Sequence, residues 1–139
     1  MKTNLKILLC FLPVCAITAS AQLAVTVMPI KVVGQKAVIE LKMRNDFSEK
    51  IESARAMCFL LDEQGKMVGQ KNGWVVGGTK DGSALEPKKE ATFNFVIPVS
   101  DATQTNVATK ISFTRIVLVG GRMADPNKDV LIVQPKNKQ

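Results

Sequence analysis

Short apolar runs separated by polar punctuation make up this chain, and no segment sustains a helical period. Residues 36–45 show the pattern most cleanly. Ile39, Leu41 and Met43 fall on one side and Glu40, Lys42 and Arg44 on the other, which predicts a half-buried strand ending at Asn45. Residues 51–62 repeat it, with Ala54, Ala56, Cys58 and Leu60 on one face and Arg55, Met57, Phe59 and Leu61 on the other. The small-residue face is expected to look into the core, which leaves an unusually apolar outer face. Further strands are predicted over 67–76, which carries Trp74, over 91–99, with Phe93, Phe95 and Ile97 aligned, and over 111–119 and 130–133. The opening run, 23–33, contains Pro29, whose missing amide donor predicts an edge strand or one broken by a bulge.

Turn chemistry fills the gaps. Residues 62–66 (Asp-Glu-Gln-Gly-Lys) read as a hairpin, residues 77–83 as a glycine-rich loop, and residues 122–129 as a turn. Seven strands in a chain of this length predict one all-β domain over residues 22–139, a seven-stranded immunoglobulin-like antiparallel sandwich. The paired cysteines of antibody domains are missing, so strand number, spacing and alternation carry that prediction.

The beginning of the chain has a different character. Lys2 and Lys6 precede an uncharged apolar stretch over 7–17, and Ala19 and Ala21 supply small residues ahead of Gln22. This predicts a cleavable export signal over residues 1–21, because the apolar stretch is too short for the ~20 residues of a spanning helix. Lipoprotein processing at Cys15 is disfavoured by the bulky Val14 before it. Cleavage removes Cys10 and Cys15, leaving Cys58 alone and excluding an intramolecular disulfide. A lone cysteine of this kind is expected to be a buried thiol that packs as a small hydrophobe. Cleavage also lowers the formal charge from +7 to +5 through loss of Lys2 and Lys6. The remaining cations are interspersed with carboxylates, which reads as a solvated surface and argues against nucleic acid.

Chemistry is limited by two absences. The sequence contains no histidine and no tyrosine, so the usual general base, the commonest metal ligand and the usual nucleophilic triads are missing. Asp125, Asn127 and Asp129 have the spacing that opens a calcium loop, but Val130 stands where that loop needs glycine and Lys136 where it needs a bidentate glutamate. A turn explains them. Gly77-Gly78-Thr79-Lys80 lacks the spacing and the following helix of a phosphate loop. Met28, Met43, Met57, Met67 and Met123 are too dispersed for a copper site and read as core filling. No cofactor, metal or catalytic residue is predicted.

One stretch resembles a known family. A strand ending at Asn45, a strand closing on Leu60-Leu61-Asp62, the Gly65 turn, Leu85-Glu86-Pro87 and the Phe93/Phe95 strand resemble the bacterial FxLYD-type immunoglobulin-like domains. Cys58 and Leu61 stand where that family carries Phe and Tyr, and Lys88 where it carries the glycine after proline. The resemblance implies an accessory interaction module and brings no catalytic residues.

Trp74 with Lys71 and Lys80 forms one candidate contact patch, because aromatic and cationic anchors dominate interface energetics. The outer row Met57, Phe59 and Leu61 forms a second, if neither strand nor loop covers it. The expected function is that of an exported, periplasmic or extracellular, non-enzymatic module contacting a protein or an envelope polymer. It has no membrane span once the signal is removed. The alternative is a periplasmic carrier of a small ligand or metal bound between the two sheets. A hydrolase built from Asp, Glu, Lys and Ser alone is the least supported class.

Overall fold

The computed structural model describes residues 22–80, 82–100 and 107–134. The predicted signal over 1–21 and the basic end from Lys136 lie outside the described residues. Among the described residues there are eight strands in two sheets. They are β1 (Leu23–Val27), β2 (Lys31–Val33), β3 (Lys36–Asn45), β4 (Ile51–Leu61), β5 (Met67–Val76), β6 (Glu90–Pro98), β7 (Ala108–Leu118) and β8 (Val130–Val133). No helix among them is long and apolar enough to cross a membrane.

The count of eight corrects the expected seven, and Pro29 is the reason. Met28 still donates its amide to the Glu40 carbonyl at 2.9 Å, but the proline cannot extend the ladder. The run therefore splits into β1 and β2, which both pair antiparallel with β3 and lie end to end along it. The expected wholly antiparallel arrangement is corrected too. β8 runs parallel to β1, completing a five-stranded sheet in which β6 flanks β3 on its other side. The second sheet has the order β5-β4-β7.

Alternation decides what is buried. Ile39, Leu41 and Met43 of β3 face Ala54, Ala56, Cys58 and Leu60 of β4 across a continuous core, all at most 1% exposed. Small residues on β4 lie opposite bulky ones on β3 within one buried cluster. Asn45 is the one buried polar residue in this core, and it is fully satisfied. Its amide nitrogen donates to the carbonyls of Glu49 and Leu85, both at 2.9 Å, and its Oδ1 accepts from the Phe47 amide at 2.9 Å. One side chain thereby ties the end of β3 to the following turn and to the Leu85 segment.

The Asp62 turn forms as its sequence predicts. The Asp62 carboxylate accepts from the amides of Gln64 and Lys66 at 2.9 and 2.8 Å. The Asp125 turn works similarly, its carboxylate accepting from Asn127 while Asp129 accepts from the Asp125 amide. At one side of the molecule the two sheets close on each other where glycines thin β5. A Cβ at Gly69 would come within 2.8 Å of Ile97, and one at Gly73 within 3.3 Å of Phe93.

Candidate contact surface

Beyond Gly73 the two sheet edges diverge. The β4–β5 register shifts between Ala54 and Arg55, so that Trp74 pairs with Arg55 and Val76 with Ala54, leaving Val75 as an extra residue on β5. The bulge ends the tight contact with β6 and places Trp74 beside a cleft of ≈ 540 Å³. Trp74, Val75, Leu85 and Phe93 form its apolar wall, and Thr79, Ser83, Glu86 and Lys89 are among its polar lining. Phe93 is held edge-on to Phe95, with ring centroids 4.9 Å apart.

Trp74 is half-buried and held by named neighbours. The Arg55 guanidinium carbon lies 5.6 Å from the indole centroid, within the range of a cation–π contact. Arg55 Nη2 also donates to Asn72 Oδ1 at 3.1 Å, which fixes the guanidinium along the same outer face. Gly78 packs against the indole so closely that a Cβ there would sit 2.2 Å from the ring. Its φ of 75°, and the 53° of Gly77, are conformations that glycine adopts freely.

The sequence-predicted residues separate on inspection. Lys71 pairs with Cys58, so it belongs to the core-side face of β5, whereas Trp74 pairs with Arg55 on the outer face. The expected Trp74–Lys71 grouping is therefore not formed. Lys71 escapes burial because β5 is an edge strand and the ammonium reaches solvent around it. Lys80 is exposed in the loop, two residues past Gly78, and is not among the residues lining the cleft. Arg55, not Lys71 or Lys80, supplies the cation at the indole. Alternation already put Arg55 on the outer face of β4. Its pairing with Trp74 depends on a long-range register that no local pattern displays.

Met57, Phe59 and Leu61 do form a row along the outer face of β4, each half-buried. Their ladder neighbours on β5 and β7 narrow the row with polar side chains at Met57 and Phe59 and leave it apolar at Leu61. Asn72 and Ser112 flank Met57, Gln70 and Lys110 flank Phe59, and Met67 and Ala108 flank Leu61. Aliphatic stems of such neighbours cover apolar surface while their heads stay in water. The row joins the Arg55–Trp74 pair to make one continuous mixed surface.

Cys58 is fully buried, and its thiol is pushed up to about 12 by desolvation, so it is held neutral at ordinary pH. On the opposite sheet, the Asp46 carboxylate accepts two hydrogen bonds from Arg44, at 2.8 and 3.0 Å, which hold it below the usual carboxylate range.

No family model matches this chain, and no curated protein matches it. Among solved structures it is similar to IrmA from Escherichia coli, with a TM-score of 0.48 and 10% identity, covering 86% of this chain and 95% of that one. It is also similar to part of a β-glucuronidase from glycoside hydrolase family 2, with a TM-score of 0.39 and 13% identity, covering 71% of this chain and 13% of that enzyme. Neither likeness gives any residue here a role.

Proposed function

We propose that this chain is an exported, non-enzymatic immunoglobulin-like module that works by contacting a protein or an envelope polymer. Its contact surface is centred on Arg55 and Trp74. The single observation that carries the reading is the partly exposed indole, braced by Arg55 and Gly78 at the mouth of an open cleft. Aromatic anchors with a cation alongside and an apolar surround are the composition of binding hot spots. At Lys88, where the FxLYD-type domains carry glycine, the backbone takes a φ of 63°, a conformation glycine adopts freely.

A carrier that binds between the sheets has less to recommend it, because Ile39, Leu41, Leu60, Phe95 and Ile97 occupy that space. The cleft opens at the sheet edges instead. The carboxylates of Asp62 and Asp125 are engaged in their own turns, which favours structural roles for them.

The test is a crosslinking pull-down from the envelope fraction, comparing the native protein with Trp74→Ala. One defined species retained by the native protein and lost with the variant is expected. Recovery of the same species by both would remove Trp74 from the contact. Mass spectrometry of the recovered protein checks export, with Gln22 as the expected first residue.

A further inference from the structure

The strands at the sheet edges differ in how they resist pairing with other chains. Unpaired edges invite strand addition, and proteins blunt them with charge, proline, bulges or brevity. Among the described residues, β5 has an inward Lys71 and the bulge at Val75. β6 has Glu90 and ends at Pro98, β7 carries Lys110 and Arg115, and β2 is three residues long with Lys31. β8 is short, at four residues, but has none of the charge, proline or bulge devices within it. It reads Val-Leu-Ile-Val, and Leu131 and Val133 are 52% and 50% exposed.

Its free edge can be located. Asp129 turns its carbonyl to the Leu23 amide, at 2.9 Å, and β8 then continues parallel to β1. Alternation along the strand leaves the amides and carbonyls of Val130 and Ile132 on the side away from β1. No backbone hydrogen bond among the described residues reaches them from that side.

We propose that β8 pairs with β8 of a second copy of this chain, antiparallel about a two-fold axis at Leu131. In that register Val130 of one copy faces Ile132 of the other as a doubly hydrogen-bonded pair, and the reciprocal pair does the same. Core-side residues meet core-side residues, and Leu131 meets its own counterpart on the outer face. Lys128 faces Gln134 and Asp129 faces Val133, so no like charges oppose each other. A self-complementary edge of this kind closes after two copies, the commonest symmetric assembly.

Leu131→Cys and Leu131→Lys test the pairing by sedimentation and non-reducing electrophoresis. Non-hydrogen-bonded antiparallel partners lie about 4.5 Å apart at Cα, inside the range a disulfide spans. Leu131→Cys should therefore oxidise to a covalent dimer, while Val96→Cys, exposed on the far edge of the same sheet, should not. Leu131→Lys should weaken association by about tenfold or more, because two ammoniums would face each other across the axis. Monomeric protein at every concentration would overturn the pairing, whether another protein or the chain's own end then covers β8. So would equal oxidation of the two cysteine variants.

Discussion

Arg55 and Trp74 meet across the β4–β5 ladder, the guanidinium carbon 5.6 Å from the indole centroid. Trp74 is the chain's single tryptophan, so intrinsic fluorescence reports on this contact alone. Arg55→Ala is expected to shift the emission and to cost about 0.5–1 kcal/mol of stability. Arg55→Lys keeps the charge but loses the planar stack, and should give an intermediate spectrum. If the contact surface is as proposed, Trp74→Ala weakens partner binding about tenfold or more, beyond a stability loss at least as large as that of Arg55→Ala, because it removes the same contact. Titration calorimetry or surface resonance against the recovered partner measures it.

Gly78 is where the loop and the indole compete for one volume. Gly78→Ala would place a methyl 2.2 Å from the ring at a φ of 75°. Loss of roughly 1–3 kcal/mol in chemical denaturation is expected, together with displaced tryptophan emission. Gly120→Ala has a similar φ of 76° but open space around it, so it should cost only the backbone term and leave the emission unchanged. Equal emission changes in the two variants would separate Trp74 from Gly78.

Asn45 is the buried polar residue on which three segments converge. Asn45→Leu should lower stability by roughly 2–4 kcal/mol, since it strands two carbonyls and an amide. Asn45→Asp should be at least as damaging, because a carboxylate would then face the Glu49 and Leu85 carbonyls without a proton to share. Urea midpoints at constant m-value give both numbers.

Lys88 holds a left-handed conformation with its amide bonded to the Asn45 carbonyl at 2.7 Å. Lys88→Gly relieves a strain of about 1–2 kcal/mol and adds less than that in unfolded-state entropy. A small rise in the thermal midpoint is the expected result.

Cys58 makes stability depend on alkaline pH. Its folded-state value lies above its ordinary value of 9.0, so the folded protein keeps the proton that the unfolded chain releases. Stability is therefore complete below 9.0 and falls as pH rises from there towards about 12, by at most about 1.4 kcal/mol per pH unit. Cys58→Ala should flatten that slope whatever its stability at neutral pH. Native protein should also resist thiol reagents until it unfolds.

These outcomes depend on features of unequal visibility in the sequence. Strands 36–45, 67–76 and 130–133 were legible to the residue, the first from its period-two alternation and all three from the turn signals that bound them. The break at Pro29 was legible as a disturbance, but not as two strands, since only the ladder with β3 shows that both halves remain in the sheet. The parallel placement of β8 beside β1 rests on contacts between the two ends of the described chain, which local pattern does not encode. At the contact surface, Trp74 and the row Met57, Phe59 and Leu61 stood out by residue type and alternation. Arg55 did not, because the bulge at Val75 sets the register that pairs it with Trp74. Asn45 read simply as a strand end, and its partner Leu85 lies 40 residues away.

The most direct measurement places a photo-crosslinking amino acid at Thr79, in the lining of the cleft, and a second at Val33, exposed on the other sheet. Irradiation in cells should give one defined adduct from Thr79 that disappears with Trp74→Ala and is absent from Val33. Adducts that are the same from both positions, or that persist without Trp74, would contradict a contact surface centred on Arg55 and Trp74.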